Sequence, residues 1–209
     1  MDELAASYRE AEHCQRCPLH LSRHRVVFGE GNPRASVLLV GEGPGQTEDQ
    51  QGRPFVGSAG QLLDRILAAA GFNREEVYIT NTVLCRPPGN RVPTPGETAA
   101  CYPYLETKLR VIKPAIVVVL GATAARVLID AHLGITKLRG QAFTRDGITF
   151  YPTFHPAALL RDPAKKRPAW EDFKRIRDHY RTLNQPNAGS PAPPDTAADS
   201  APRDARPTL

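Results

Sequence analysis

The chain has 209 residues, and about four in ten are hydrophobic, enough for one domain with a substantial core. Its formal charge of +5 comes from 27 basic and 22 acidic residues; residues 186–209 hold two arginines and three aspartates, so residues 1–185 carry +6, which suits a polyanionic partner or simply a solvated basic surface. No run of 18 apolar residues occurs, which excludes a membrane partner, and "MDELAASYREAEHC" at the start has no signal-peptide architecture, so the expected location is cytoplasmic.

Residues 2–13 have apolar side chains at helical spacing, and "CQRCPLH" ends that helix. "RVVFGEG" reads as a short extended segment. "ASVLLVG" (35–41) is a continuous, partly β-branched apolar run stopped by a turn, as expected for a strand buried on both faces of a parallel sheet. In "SAGQLLDRILAAAG" (58–71), Leu62, Leu63, Ile66 and Leu67 share a helix face, with Ser58 as expected N-cap and Gly71 as stop. "VYITN" (77–81) is a second strand. Residues 94–112 predict a helix with Thr94 as N-cap, Pro95 at its first position and Glu97 completing a capping box.

"AIVVVLG" (115–121) is a third buried strand, followed by the helix "ATAARVLID". "AFTRDGITFYPTF" predicts a hairpin turning at Asp146-Gly147. "HPAALL" starts a short helix, and "AWEDFKRIRDHYRTL" is a last amphipathic one. Alternating strands and helices predict a three-layer α/β/α sandwich around a mostly parallel four-stranded sheet. That domain spans 1–185. Residues 186–209, rich in Pro, Ala and Asp, read as a disordered tail.

The four cysteines are Cys14, Cys17, Cys85 and Cys101. In a reducing compartment such a set argues for a metal rather than disulfides. Four thiolates suit zinc or an iron–sulfur cluster; the presence of only one close pair leans toward the cluster.

Ligands of such a sheet bind at the carboxyl ends of its strands. Three distinctive segments fall there: Gly41–Phe55, Asn81–Arg91 and Phe154–Arg161. Phe55 offers a flat face, and Asn81 a donor beside an acceptor for the edge of a planar heterocycle. His155 opens a helix, where imidazolium is disfavoured, so a neutral donor is expected. Glu42 adds a carboxylate beside the Gly43-Pro44-Gly45 turn. Taken singly, Phe55 is ordinary core, Asn81 a turn residue, His155 a structural histidine and Glu42 a solvated acid. The functional reading rests on their sharing one sheet edge.

Three stretches, "GEGPGQTEDQQGRPFVGSAGQLLD", "ITNTVLCRPPGNRVPTPGETAAC" and "FHPAALLR", together with the order of the four cysteines, resemble the family 4 uracil-DNA glycosylases, the iron–sulfur type. The resemblance runs from about Cys14 to Arg177. It implies a [4Fe–4S] cluster on Cys14, Cys17, Cys85 and Cys101, in a structural role. It also implies that Phe55 stacks on an extruded uracil and Asn81 pairs with its polar edge. Glu48 would stand near C5, where a thymine methyl would clash. His155 would donate to O2 as the glycosidic bond breaks, Glu42 would orient water or stabilise the cationic sugar, and Asn90 would assist. Gly43 stands in the substrate loop where several relatives carry an acidic or amide side chain.

The implied activity is monofunctional excision that leaves an abasic site, since no lysine stands out as a Schiff-base former. Uracil-containing DNA is the implied partner, bound by a monomer. In "HPAALLRDPAKKRP", Leu159 or Leu160 would wedge into the vacated stack, and Arg161, Lys165, Lys166 and Arg167 would meet phosphates. "CRPPGNRVPTPGE" has no histidine, which argues against the superfamily branch that bonds covalently to the abasic sugar. One rival is a DNA-binding iron–sulfur redox sensor without catalysis; another is a nucleotide-binding module on the same fold. The tail would solubilise the protein or recruit a replication or repair protein.

Overall fold

The computed structural model describes residues 2–184. The tail and its partner fall outside them.

In chain order, α1 spans Asp2–Glu12, β1 Glu30–Gly31, β2 Val37–Gly41, α2 Gln46–Gln51, α3 Ser58–Ala70 and β3 Tyr78–Asn81. Then follow α4 (Pro95–Ile112), β4 (Ile116–Leu120), α5 (Ala122–Leu128) and α6 (Ile135–Leu138). β5 (Phe143–Arg145), β6 (Ile148–Thr153), α7 (Pro156–Arg161) and α8 (Lys166–Asn184) complete the fold. The sheet order is β1-β3-β2-β4-β6-β5. The inner four strands are parallel, as the apolar runs predict; β1 and β5 pair antiparallel at the two edges and bring the sheet from four strands to six.

Side-chain alternation explains the three layers. Leu38 and Val40 of β2, with Val117 and Val119 of β4, face the core beneath α4 and α5. Their neighbours Leu39, Ile116, Val118 and Leu120 face the other core, closed by Leu63 and Leu67 of α3 and Phe173 and Ile176 of α8. Burying each of these side chains contributes about 1.5–3 kcal/mol, so both faces must be covered.

The helix signals were mostly legible. Thr94 and Glu97 form the capping box reciprocally, at 3.2 and 2.8 Å. Gly71 stops α3 in the left-handed conformation (φ 81°). Asp146 and Gly147 both have positive φ, as a tight hairpin turn requires. Ser58 departs from expectation: it is the first helical residue, and Gly57 takes the N-cap position without a side-chain bond. The amide of Gly57, with that of Val56, is held instead by Glu48 from the preceding helix. No helix of the described residues is long and apolar enough to cross a membrane.

Candidate functional site

The C-terminal ends of β2, β3, β4 and β6 open into one cleft of about 490 Å³, a size suited to a small ligand. Glu42, Asn81, Gly121 and His155 follow or end these four strands, and all line the cleft. The three segments named from sequence therefore converge. The fourth wall, Leu120 to Ala122 at the end of β4, was missed, although the same strand-end rule points to it.

The three acids of the first loop have separate tasks. Glu42 lines the cleft and its Oε2 accepts a hydrogen bond from the Thr123 hydroxyl. Thr82 Oγ1 also donates to the Glu42 carbonyl, at 2.5 Å. Two threonines thus fix this residue from two neighbouring strand ends. Glu48 Oε1 accepts from the amides of Val56 and Gly57 at 2.9 and 2.7 Å, which draws the Phe55 loop against α2. Asp49 is fully buried; it accepts from His24 N and stands 2.8 Å from His24 Nδ1. It ties α2 to the segment that leaves the cysteine region.

Gly41 explains how close the site is. A Cβ there would lie 2.4 Å from Asn81 Oδ1 and 2.5 Å from the tip of the Phe55 ring. Both side chains rest on this bare backbone. Asn81 is 2% exposed, and its Oδ1 has no hydrogen-bond partner. An unsatisfied buried acceptor costs about 1–3 kcal/mol, so the fold keeps this atom unpaired at the cleft wall at a loss. Phe55 has φ 52°, a left-handed conformation that costs an L-residue about 1–2 kcal/mol. Its ring centroid is 5.5 Å from that of His155, at 30°.

His155 caps α7: its Nδ1 accepts the Ala157 amide at 3.1 Å. The remaining nitrogen, Nε2, therefore carries the proton of the neutral ring. Burial lowers the imidazole pKa to about 4, and the positive charge of Arg161 lowers it further than Glu48 restores it. Gly121 (φ 92°) passes so close that a Cβ would meet His155 Cβ at 2.9 Å.

Gly43 lies in the cleft, its Cα facing Val83 closely enough that any Cβ would sit 2.8 Å from Val83 Cγ2. Asn90 lines the rim and is exposed, with Oδ1 occupied by Arg86 Nε at 2.7 Å. Arg91 forks onto Glu97 at 2.8 and 2.7 Å; those bonds from Arg91 carry the Glu97 carboxyl to about 2 and fasten the rim to α4.

On the opposite rim, Leu159 corrects the sequence reading. It is 2% exposed and packs with Phe154 and Ala169, so it has no free side to insert between bases. Leu160 is 43% exposed and remains the wedge candidate. Arg161 and Lys165 line the cleft, Lys165 paired with Asp162 at 3.2 Å, while Lys166 and Arg167 are exposed.

No disulfide joins the four cysteines, which line one small cavity between α1, the Leu84–Cys85 loop and α4. Among the described residues no group of three or more Cys, His, Asp or Glu is arranged to hold a metal ion. A four-iron cluster asks for something different: its thiolates bind at four separate corners, around a cavity rather than at a point. The all-sulfur donor set fits that. Arg23 Nη1 donates to Cys85 Sγ at 3.3 Å and the Leu84 amide to Cys101 Sγ at 3.4 Å, contacts that favour thiolates. Burial raises the Cys17 and Cys85 thiols and pushes Cys101 up to about 12, so binding must displace protons.

At the ends of a parallel sheet, an aromatic wall, an unpaired carboxamide oxygen and a neutral imidazole line one cleft, a set whose chemistry matches that of a planar heterocycle. Comparison with known proteins agrees. The Uracil DNA glycosylase superfamily matches residues 28–174. The Type-4 uracil-DNA glycosylase of Thermotoga maritima is 48% identical over 168 residues, covering 78% of this chain and 88% of the relative. That of Sulfurisphaera tokodaii is 41% identical over 187 residues, 85% of each. A Type-5 uracil-DNA glycosylase of Thermus thermophilus is 37% identical over a shorter 128 residues, 54% of this chain and 58% of the relative. The chain belongs to the uracil-DNA glycosylase superfamily, in its type-4 family.

Proposed function

We propose that this cleft receives a uracil everted from DNA and hydrolyses its bond to the sugar, leaving an abasic site. The observation that carries the reading is the buried, unpaired Oδ1 of Asn81 beside Phe55 and His155. Uracil presents an N3–H donor next to the O4 acceptor. Asn81 complements both, with Oδ1 accepting and Nδ2 donating. Cytosine offers an acceptor and a donor in the reverse order, and a mismatched polar pair in a dry slot is rejected strongly. Glu48, bound to the loop amides, closes the slot near C5 and excludes the thymine methyl. Gly43 lets the same loop pass close to Val83, where any side chain would clash.

Eversion costs a few kcal/mol, least for weak pairs. Leu160 fills the gap, and Arg161, Lys165, Lys166 and Arg167 hold the phosphates. As the N1–C1′ bond breaks, its electron pair goes to the uracil ring, and Nε2–H of His155 donates to O2 where that charge gathers. A fixed donor of this kind is worth about 10²–10³ in rate. Glu42, held by Thr123, stabilises the cationic sugar and accepts a proton from the water that bonds to C1′. Asn90 assists from the rim. Among the described residues lining the cleft Lys165 is the one lysine, and it is assigned to a phosphate, so strand cleavage through a Schiff base is not expected.

We assign a [4Fe–4S] cluster to Cys14, Cys17, Cys85 and Cys101. When bound it would cross-link α1, the Leu84–Cys85 loop and α4; its chemistry here is structural. The protein is read as a cytoplasmic monomer acting in base excision repair. A redox sensor without catalysis would have no use for an orphaned carboxamide beside a neutral imidazole. The test is incubation with an oligonucleotide carrying one uracil, followed by alkali. Breaks only at uracil are expected; an intact strand would overturn the reading.

A further inference from the structure

Phe55 is held in a conformation that its own side chain disfavours (φ 52°). Helix α3 presses directly on it: a Cβ on Gly60 would lie 1.9 Å from the Phe55 carbonyl oxygen. That carbonyl and the one before it are taken by a single side chain outside the cleft lining. Arg74, in the turn between α3 and β3, donates from Nη1 to Phe55 O at 3.2 Å and from Nη2 to Pro54 O at 2.6 Å. The same guanidinium donates from Nη1 to Asp64 Oδ1 at 2.5 Å. Nε and Nη2 both reach Glu30 Oε1, at 3.2 and 2.9 Å. Two carboxylates thus fix the guanidinium, and the guanidinium fixes two successive carbonyls. Arg53 in turn fixes Glu30 at 2.8 and 3.2 Å.

We propose that Arg74 is a positioning residue for base recognition, locking the Pro54–Phe55 backbone so that the ring presents its face to the slot. The inference rests on the reading of Phe55 as the stacking wall. It extends that reading to a clamp built from β1, α3 and the turn after it. The planar fork is essential to this task, because a lysine ammonium is a point charge and cannot span two carbonyls and two carboxylates at once.

The test is a double-mutant cycle on Arg74→Gln and Phe55→Ala, reading kcat/KM on a single-stranded uracil oligonucleotide and the affinity for free uracil. Arg74→Gln alone is expected to lower kcat/KM by about 10- to 100-fold, because displaced reacting geometry is costly, and to weaken uracil binding. Arg74→Lys should recover only part of that loss. In the Phe55→Ala background the same Arg74 changes should matter less than about twofold, since the ring they position is gone. Equal factors in both backgrounds would make Arg74 a general stabiliser and overturn the proposal, as would an unaffected Arg74→Gln. Full activity of Phe55→Ala alone would overturn the stacking reading itself, a distinguishable result. Should Arg74→Gln melt below the assay temperature, the cycle is run with Arg74→Lys, with the same outcomes.

Discussion

The Nδ1 of His155 accepts the backbone N–H of Ala157, two residues on, at 3.1 Å. That bond fixes the tautomer, and burial fixes the charge: the imidazole titrates near 4 and is neutral at physiological pH. Its effect on stability has a definite sign. The unfolded histidine titrates at about 6.5, so between about 6.5 and 4 the unfolded chain binds a proton that the folded chain refuses. Stability is full above 6.5 and falls as pH drops toward 4, by up to about 3 kcal/mol from this residue. His155→Leu should remove that component and slow excision by about 10²–10³. Denaturant melts at pH 7 and 4.5, with single-turnover rates, check both; identical pH slopes for parent and variant would mean the ring is not held neutral.

On the proposed reading, Asn81 serves function at the expense of stability. Its unpaired Oδ1 is a local loss of about 1–3 kcal/mol, recovered only when a donor such as a ring N–H arrives. Asn81→Ala should therefore leave the thermal midpoint unchanged or raise it, while uracil excision falls by at least about 100-fold. A calorimetric scan beside a glycosylase assay separates the two effects. A variant that lost stability and activity together would show that Asn81 serves the fold.

How much of this was legible depends on the range of each interaction. Strands β2 and β4 are continuous apolar runs, β3 is a short β-branched and aromatic stretch, and the Thr94 cap and the Asp146-Gly147 turn are decided by nearest neighbours, so local pattern sufficed. The strand-end rule then placed Glu42, Asn81 and His155 on one cleft. Leu159 and Leu160 were indistinguishable because adjacent residues of a six-residue helix differ only in facing, which Phe154 and Ala169 decide. Arg74 carries no motif: its partners Glu30, Pro54, Phe55 and Asp64 are up to 44 residues away in sequence and meet only in the fold. Asp49 likewise carries no local signal: its partner His24 is 25 residues earlier in sequence and meets it only in the fold.

Leu159 and Leu160 should part company when truncated. Leu159→Ala opens a cavity in a packed cluster and should cost about 2–5 kcal/mol of stability. Leu160→Ala removes an exposed side chain and should leave stability within about 0.5 kcal/mol. If Leu160 fills the space left by the everted base, its loss should slow excision from duplex more than from single-stranded DNA, where no stack needs filling. Comparing kcat/KM on the two substrates reads this directly; an equal loss on both would remove the wedge role.

Arg23 links the two halves of the cysteine set. Its Nη1 donates to Cys85 Sγ at 3.3 Å and to the Cys14 carbonyl at 2.8 Å, and Nη2 to the Glu12 carbonyl at 3.0 Å. One guanidinium therefore braces the end of α1 and stabilises negative charge on a buried sulfur. Hydrogen bonds to charged groups contribute about 1.5–3 kcal/mol, so if the four cysteines hold the cluster proposed above, Arg23→Ala should shed its iron about tenfold faster in the presence of a chelator, with all four cysteines intact. The decay of the visible sulfur-to-iron absorbance and the iron content per chain measure this independently of activity. Arg23→Lys keeps the charge but cannot reach the sulfur and two carbonyls together, so its decay should fall between parent and Arg23→Ala. A decay unchanged in Arg23→Ala would show that the thiolates need no help from this side chain.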